Sequence, residues 1–115
     1  MRLIGGAAMA AMLLLAGPAG AQAFNGAAKI ARGDYRAAER ELIAARAANP
    51  DDVDLLLNLA AVYATTGRPT LARALYGQAA AMPDEAVEVA SGGTTTSRAL
   101  ASTGLARLPA TIAAR

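Results

Sequence analysis

Histidine, cysteine and tryptophan are all missing from the chain. Zinc and haem ligation, thiol catalysis, Ser-His-Asp relays and disulfides need those residues, so their absence removes much of enzyme chemistry from consideration. Large rings are scarce as well: one Phe and three Tyr make up 3% of the sequence. Charge is thin, at 17%, and nearly balanced, with a net +2 from ten Arg and one Lys against nine acids. That balance is too even for the electrostatic footprint of a nucleic-acid-binding protein. What the chain has instead is small apolar side chains. Apolar residues reach 55%, and alanine alone supplies roughly three residues in ten. A core of this kind consists of many methyl contacts and few rings, which requires closely packed helices. Alanine leads the helix scale and is depleted from strands, which argues against a β-sandwich or barrel. The 115 residues suffice for one domain.

The N-terminus is organised as a leader. Met1-Arg2 is a short basic start, Leu3 to Ala16 carries no charge, and Gly17-Pro18 breaks any helix. Ala19-Gly20-Ala21 then places small residues where a signal peptidase reads. The expectation is a signal peptide over residues 1–21, cleaved before Gln22; a second A-x-A, Ala21-Gln22-Ala23, would move the cut to Phe24. The apolar run is about fourteen residues, short of the roughly twenty that span a bilayer, so no stable membrane anchor is expected after cleavage. Without cysteine there is no lipoprotein anchor either. The expected destination is the periplasm or the exterior. Loss of Arg2 leaves ten basic and nine acidic residues, and a chain without disulfides must be stabilised by packing.

Self-similarity at a fixed spacing organises the middle of the chain. Gly33 and Gly67 stand 34 residues apart, as do Ala38 and Ala72, Leu42 and Tyr76, and Ala45 and Ala79. Asn49-Pro50 returns as Pro83-Asp84, within one residue of that period. Four coincidences in one register, punctuated by Gly and Pro, describe two copies of a helix-turn-helix unit. In the first copy, a helix running back through Ile30, Ala27 and Phe24 ends at Gly33, which takes the left-handed conformation of a helix C-terminus; Asp34 caps the next helix. The spacing predicts that second helix from Tyr35 to Ala48, with Tyr35, Ala38, Leu42 and Ala45 on one face. Asn49-Pro50 stops it, and Asp51-Asp52 brings negative charge to the start of a third helix. That helix, Val53 to Thr66, carries Leu56, Leu59, Ala60 and Tyr63 in one stripe. Gly67-Arg68-Pro69 turns the chain into a fourth, about Thr70 to Met82, presenting Ala72, Leu75, Tyr76 and Ala79.

These residues resemble the tetratricopeptide repeat family. Leu56, Leu59-Ala60, Tyr63, Gly67, Ala72, Tyr76 and Ala79 follow its pattern in the second copy. Gly33, Tyr35, Ala38, Leu42, Ala45 and Pro50 follow its second half in the first copy. The resemblance covers about residues 24–84. Pro69 stands where an aromatic is usual, Pro83 comes one residue early, and the first helix lacks the large residue and the tyrosine. The resemblance implies an all-α fold of two tetratricopeptide helix-turn-helix repeats, a short α-solenoid, in which small residues let paired helices approach closely. It also implies a non-catalytic protein–protein interaction module with neither cofactor nor metal.

From Asp84 the pattern changes. Val87-Glu88-Val89 alternates, Ser91-Gly92-Gly93 is a turn cluster and Thr94-Thr95-Thr96 is β-branched, so residues 85–96 read as a loop or short hairpin. Residues 97–115 read as a C-terminal helix with a frayed tail. Ser97 is its expected cap, Leu100, Ala101, Leu105 and Leu108 its apolar face, and Gly104 permits close approach within that face. The third helix is apolar almost all round, and two repeats are fewer than a solenoid needs. The last helix is therefore expected to act as a cap, either standing in for a third-repeat helix against Leu75 and Ala79 or folded into the groove.

Asp51, Asp52 and Asp54 lack the permissive glycine and downstream glutamate of a calcium loop and serve better as helix caps. Glu39 and Glu41 point to different faces of one helix, a solvated surface helped by Arg36 rather than an acid/base pair. Gly92-Gly93 has no lysine at phosphate-loop spacing. Arg32, Arg36 and Arg40 form a modest basic cluster interleaved with acids and without aromatic platforms, so no nucleic acid is expected as a partner. In the resembled family the inner groove is lined by the first helix of each repeat. Carried onto this chain, the groove takes Ala23, Ala27 and Ile30 from the first helix, and Asp54, Leu57, Asn58, Ala61 and Ala64 from the third. It is mainly apolar and lacks the basic side chains with which some members hold a partner's C-terminal carboxylate. Asn58 stands where such a clamp has asparagine, but reads better as a helix-to-helix hydrogen-bonding residue. The expected function is recognition of a partner protein's helix or extended segment. The alternative is a small structural or stabilising subunit of a cell-envelope assembly, with self-association left open.

Overall fold

The structure, a computed structural model, describes residues 26–89 and 92–109. The expected leader, Ala23, Phe24 and the tail beyond Pro109 lie outside the described residues. The chain forms α1 (Ala27–Ala31), α2 (Tyr35–Ala48), α3 (Val53–Thr65), α4 (Pro69–Ala81), β1 (Ala86–Glu88), β2 (Thr94–Thr96) and α5 (Ser97–Arg107). The two strands pair antiparallel, with Val87 opposite Thr95.

The 34-residue period is visible in the backbone hydrogen bonds. At the end of α1, Asp34 N donates to the Lys29 carbonyl at 2.8 Å and Gly33 N to the Ile30 carbonyl at 2.9 Å. At the end of α3, Arg68 N donates to the Tyr63 carbonyl at 2.8 Å and Gly67 N to the Ala64 carbonyl at 3.4 Å. Both glycines take a φ of 80°, the left-handed residue that closes a helix in this way. The next helix is capped at once in the first repeat, where the Asp34 carboxylate accepts from Ala37 N at 3.3 Å. Asp52 does the same for α3, accepting from Asp54 N at 3.0 Å. α4 begins at Pro69, one residue before the expected start, because proline's fixed φ suits a first helical turn and needs no N–H there.

α1 is shorter than the sequence suggests. The expected helix through Phe24 begins instead after Gly26, whose φ of 73° a right-handed helix does not continue through. Gly26 lies against α2 so closely that a Cβ there would stand 3.1 Å from the Leu42 side chain.

α3 is the centre of the molecule, in contact with α2, α4 and α5. Its Val53, Leu56, Leu59 and Val62, with Leu42 of α2, are the largest fully buried apolar side chains. Ala38 and Ala72, 34 residues apart, are each completely buried. α5 packs mainly on α4 and secondarily on α3. Its seam is made of small residues, Ser97, Ala101 and Gly104, all buried, whereas Leu100, Leu105 and Leu108 are only half-buried. The expected leucine-rich face is thus the flank of the contact. Gly104 explains the preference: a Cβ there would fall 2.4 Å from Tyr76 Cζ, so only glycine lets α5 approach that ring. The cap also moves by one residue. Thr96 Oγ1 accepts from Ala99 N at 3.1 Å, while Ser97 turns inward and accepts from Glu85 N at 2.9 Å.

The two glutamates of α2 are paired across helices. Glu41 meets Lys29 of α1 at 3.1 Å. Glu39 takes a two-pronged hydrogen bond from Arg68 in the α3–α4 turn, where Arg36 had been the expected neighbour. That hydrogen bond holds the Glu39 carboxyl below its ordinary range. Arg68 also lies 4.7 Å from the centre of the Tyr63 ring and donates through Nε to Thr66 Oγ1 at 3.2 Å.

Candidate functional site

The five groove residues carried onto α3 do not form an open surface. Leu57 is 2% exposed, Ala61 4% and Asn58 not at all; Asp54 and Ala64 are half-buried. Of the first-helix residues, Ile30 is buried, Ala27 is placed as the first residue of α1, and Ala23 is outside the described residues. Leu57 and Ala61 are thus buried and Ala64 half-buried. The reason lies in α3 itself, which has almost no polar face to turn to water and must be covered on several sides.

The cover comes chiefly from α4 and α2, and α5 adds to it. At the lower end, Ala61, Ala64 and Thr65 of α3 meet Tyr76 of α4 and Gly104, Arg107, Leu108 and Pro109 around a cavity of about 110 Å³. At the upper end, Asp54 lies near Asp52 and near Glu85, which leads into β1. Burial, with added repulsion from those two carboxylates, pushes the Asp54 carboxyl up to about 6. α5 thus sits mainly on α4, as a third-repeat helix would, and touches α3 as well.

Polar contacts at both ends hold α5 in place. The Asp84 carboxylate accepts from Arg98 N at 2.9 Å at the start of α5, and that bond holds its carboxyl below the usual range. In return, Arg98 donates to the Met82 and Ala80 carbonyls, at 3.2 and 3.4 Å, at the end of α4. Cation and carboxylate each meet the helix end whose dipole favours them. Below, Arg73 of α4 donates to the Pro109 carbonyl at 2.7 Å. Asp84 and Arg98 were readable as charged residues flanking the strand-forming segment, but nothing in the spacing announces the hydrogen bond between the Asp84 carboxylate and the Arg98 backbone.

Two surface grooves were not anticipated. Ile43, Ala47 and Pro50 of the α2 end line one with Leu59 and Tyr63 of α3. Ala44, Ala45 and Ala48 line the other with Glu41 and Asn49. Ile43 and Leu71 are the large apolar side chains left exposed among the described residues. Ile43 follows Leu42 directly, and that offset from the Ala38–Leu42–Ala45 stripe is the signal that could have marked it.

Burial pushes the Tyr76 phenol up to about 12, and among the described residues no cluster of Asp and Glu is placed to hold a metal ion. No described helix is long and apolar enough to cross a membrane. A family model described as Tetratricopeptide repeat matches residues 29–91, more than half of the chain. No curated protein and no solved structure matches it.

Proposed function

Because the chain belongs to the tetratricopeptide repeat family, whose repeats are non-catalytic scaffolds, we propose that it is an exported module that recognises a helix or extended segment of a partner protein in the periplasm or outside the cell. The strip Asp54, Leu57, Asn58, Ala61 and Ala64 is the surface that partner reaches, and α5 is what it displaces. One observation carries this reading: α5 is seated through small buried residues, Ser97, Ala101 and Gly104, with its leucines only half-buried, and Gly104 shares a cavity with Ala61 and Ala64 of the strip. Such a helix loses little apolar burial when it leaves, so a partner helix with larger side chains can replace it. The leader pattern of residues 1–21 supports export.

Deletion of residues 97–115 tests the exchange. Intact folding with gained capture of a periplasmic partner supports it; lost folding makes α5 an integral cap; no change in either quantity refutes both roles. Mass spectrometry of the exported chain should find an N-terminus at Gln22 or Phe24, and a membrane-bound chain starting at Met1 would sink the export reading.

A further inference from the structure

A third surface concavity, of about 440 Å³, differs from the two apolar grooves in its charge. It is lined by Arg36, Glu39 and Arg40 of α2 and by Thr66 and Arg68 of the α3–α4 turn. Three arginines therefore share it with one glutamate, in a chain whose net charge is only +2. That glutamate is already engaged: its Oε2 accepts from Arg68 Nη1 and its Oε1 from Arg68 Nη2. Arg68 is fixed in turn by Thr66 Oγ1, 3.2 Å from its Nε and 2.9 Å from its Nη2, and lies over the Tyr63 ring at 4.7 Å. Arg36 and Arg40 stand one helical turn apart on α2, both exposed, and no ion pair among the described residues includes either. The rest of the sequence holds no side-chain carboxylate for them, because all nine Asp and Glu fall within the described residues.

We propose that this concavity seats an acidic segment of a partner protein, whose two carboxylates, about one helical turn apart, are bound by Arg36 and Arg40. The spacing follows from α2, where four residues rise about 6 Å. Glutamates four positions apart on a helix, or acids at alternate positions of an extended segment, match that separation. Guanidinium meets carboxylate in a two-pronged hydrogen bond, and the Glu39–Arg68 pair is an example inside the same concavity. Arg36 stands close enough to Glu39 to help hold its carboxyl below the ordinary range, which places that positive charge at the site. A nucleic acid fits less well, because Arg68 already covers the Tyr63 ring and leaves it no open platform for a base. The inference rests on the reading of the chain as an interaction module, but not on export or on the movement of α5.

The probe is an end-blocked helical peptide of alanine and glutamine carrying two glutamates four positions apart, titrated at low salt into the isotope-labelled full chain. Saturable NMR shifts at Arg36, Arg40 and the α3–α4 turn are expected, and they should weaken as salt is raised. A peptide with glutamine in place of both glutamates should bind at least about tenfold more weakly. Arg36→Gln/Arg40→Gln should abolish the shifts while circular dichroism shows the fold retained, because both side chains are exposed. Arg46→Gln, which removes a charge from the other half of α2, should leave them intact. Shifts elsewhere, equal binding of the glutamine peptide, or shifts that persist in the double variant would each overturn the proposal. Inorganic phosphate that saturates the same residues at a lower concentration than the peptide would also overturn it, in favour of a small-anion site. If full chain and double variant capture the same cellular partner equally well, this seat is refuted while the interaction module stands.

Discussion

Two helical glycines of this chain should respond to the same substitution with opposite signs. Gly77 lies in α4, and a Cβ added there meets nothing within 4 Å. Gly104 lies in α5, and a Cβ added there would stand 2.4, 2.5 and 2.7 Å from three atoms of the Tyr76 ring. Replacing an exposed helical glycine by alanine recovers about 0.8–1 kcal/mol of helix propensity, so Gly77→Ala should stabilise by that amount. At Gly104 the same gain is opposed by overpacking of about 1–3 kcal/mol. The ring must retreat by about 1 Å to reach ordinary contact, and at 6% exposure Tyr76 has little room to do so. The net expectation for Gly104→Ala is a loss of up to about 2 kcal/mol, leaving the two variants roughly 1–3 kcal/mol apart, since the propensity gain is common to both. In a domain of this size that corresponds to a difference in melting temperature of about 5 °C or more. Urea and thermal unfolding followed by circular dichroism measure both. In a Tyr76→Leu background the Gly104→Ala loss should shrink, since the obstructing ring is gone. Equal stabilisation by the two alanines would show that α5 is not seated on Tyr76, and the account of α5 as a close-packed cap would fail.

Asp54 provides a pH test with a definite sign. Its carboxyl is raised to about 6, so the folded state binds that proton more tightly than the unfolded chain and gains stability as pH falls from about 6 towards 4. Asp54→Asn should therefore exceed the parent at pH 7 by about 1 kcal/mol, after allowance for solvent screening of a half-buried group, with the gap closing by pH 4; a gap that widens on acidification contradicts the assignment. Ala72→Leu should overpack the α3–α4 contact and cost about 1–3 kcal/mol, whereas Ala74→Leu, at an exposed position of the same helix, should stay within about half a kcal/mol. Equal unfolding midpoints would place the repeat register wrongly. Thr96→Ala should remove the cap of α5 and cost about 1 kcal/mol in chemical denaturation; no change would return that role to a neighbouring residue.

Much of the frame was readable because it depends on local chemistry. Gly33 and Gly67 must adopt a left-handed φ, Asp34 and Asp52 present oxygens to a helix start, and a helix from Tyr35 to Ala48 emerges from apolar spacing alone. These are short-range requirements that a window of a few residues expresses. The features that escaped the sequence depend on how elements meet. Gly26 reads as another small residue in a helical run, and the break there reflects its fit against Leu42, sixteen positions away. The leucines of α5 suggest its buried face by hydrophobicity, yet the contact selects Ser97, Ala101 and Gly104 because the Tyr76 ring already fills the space that leucine would need. The strip Leu57–Asn58–Ala61 was identifiable as a surface in need of cover, whereas the seat of α5 depends on the β1–β2 ribbon turning the chain back onto α4 and α3.

The order of packing also bears on how the chain acquires its structure. Apart from those of α5, the substantial contacts join elements adjacent in sequence: α1 with α2, α2 with α3, α3 with α4, and β1 with β2. Closing such contacts requires only short loops, which favours rapid folding and allows it to propagate from one hairpin to the next. The contacts of α5 with α4 and α3 are different, since they close only after the intervening ribbon has formed. Amide exchange should retain this hierarchy, with α3 opening only in global unfolding and α5 exchanging through a cheaper, separate opening. That result would mark one cooperative unit held around α3 and a second, smaller one that opens without dissolving the first.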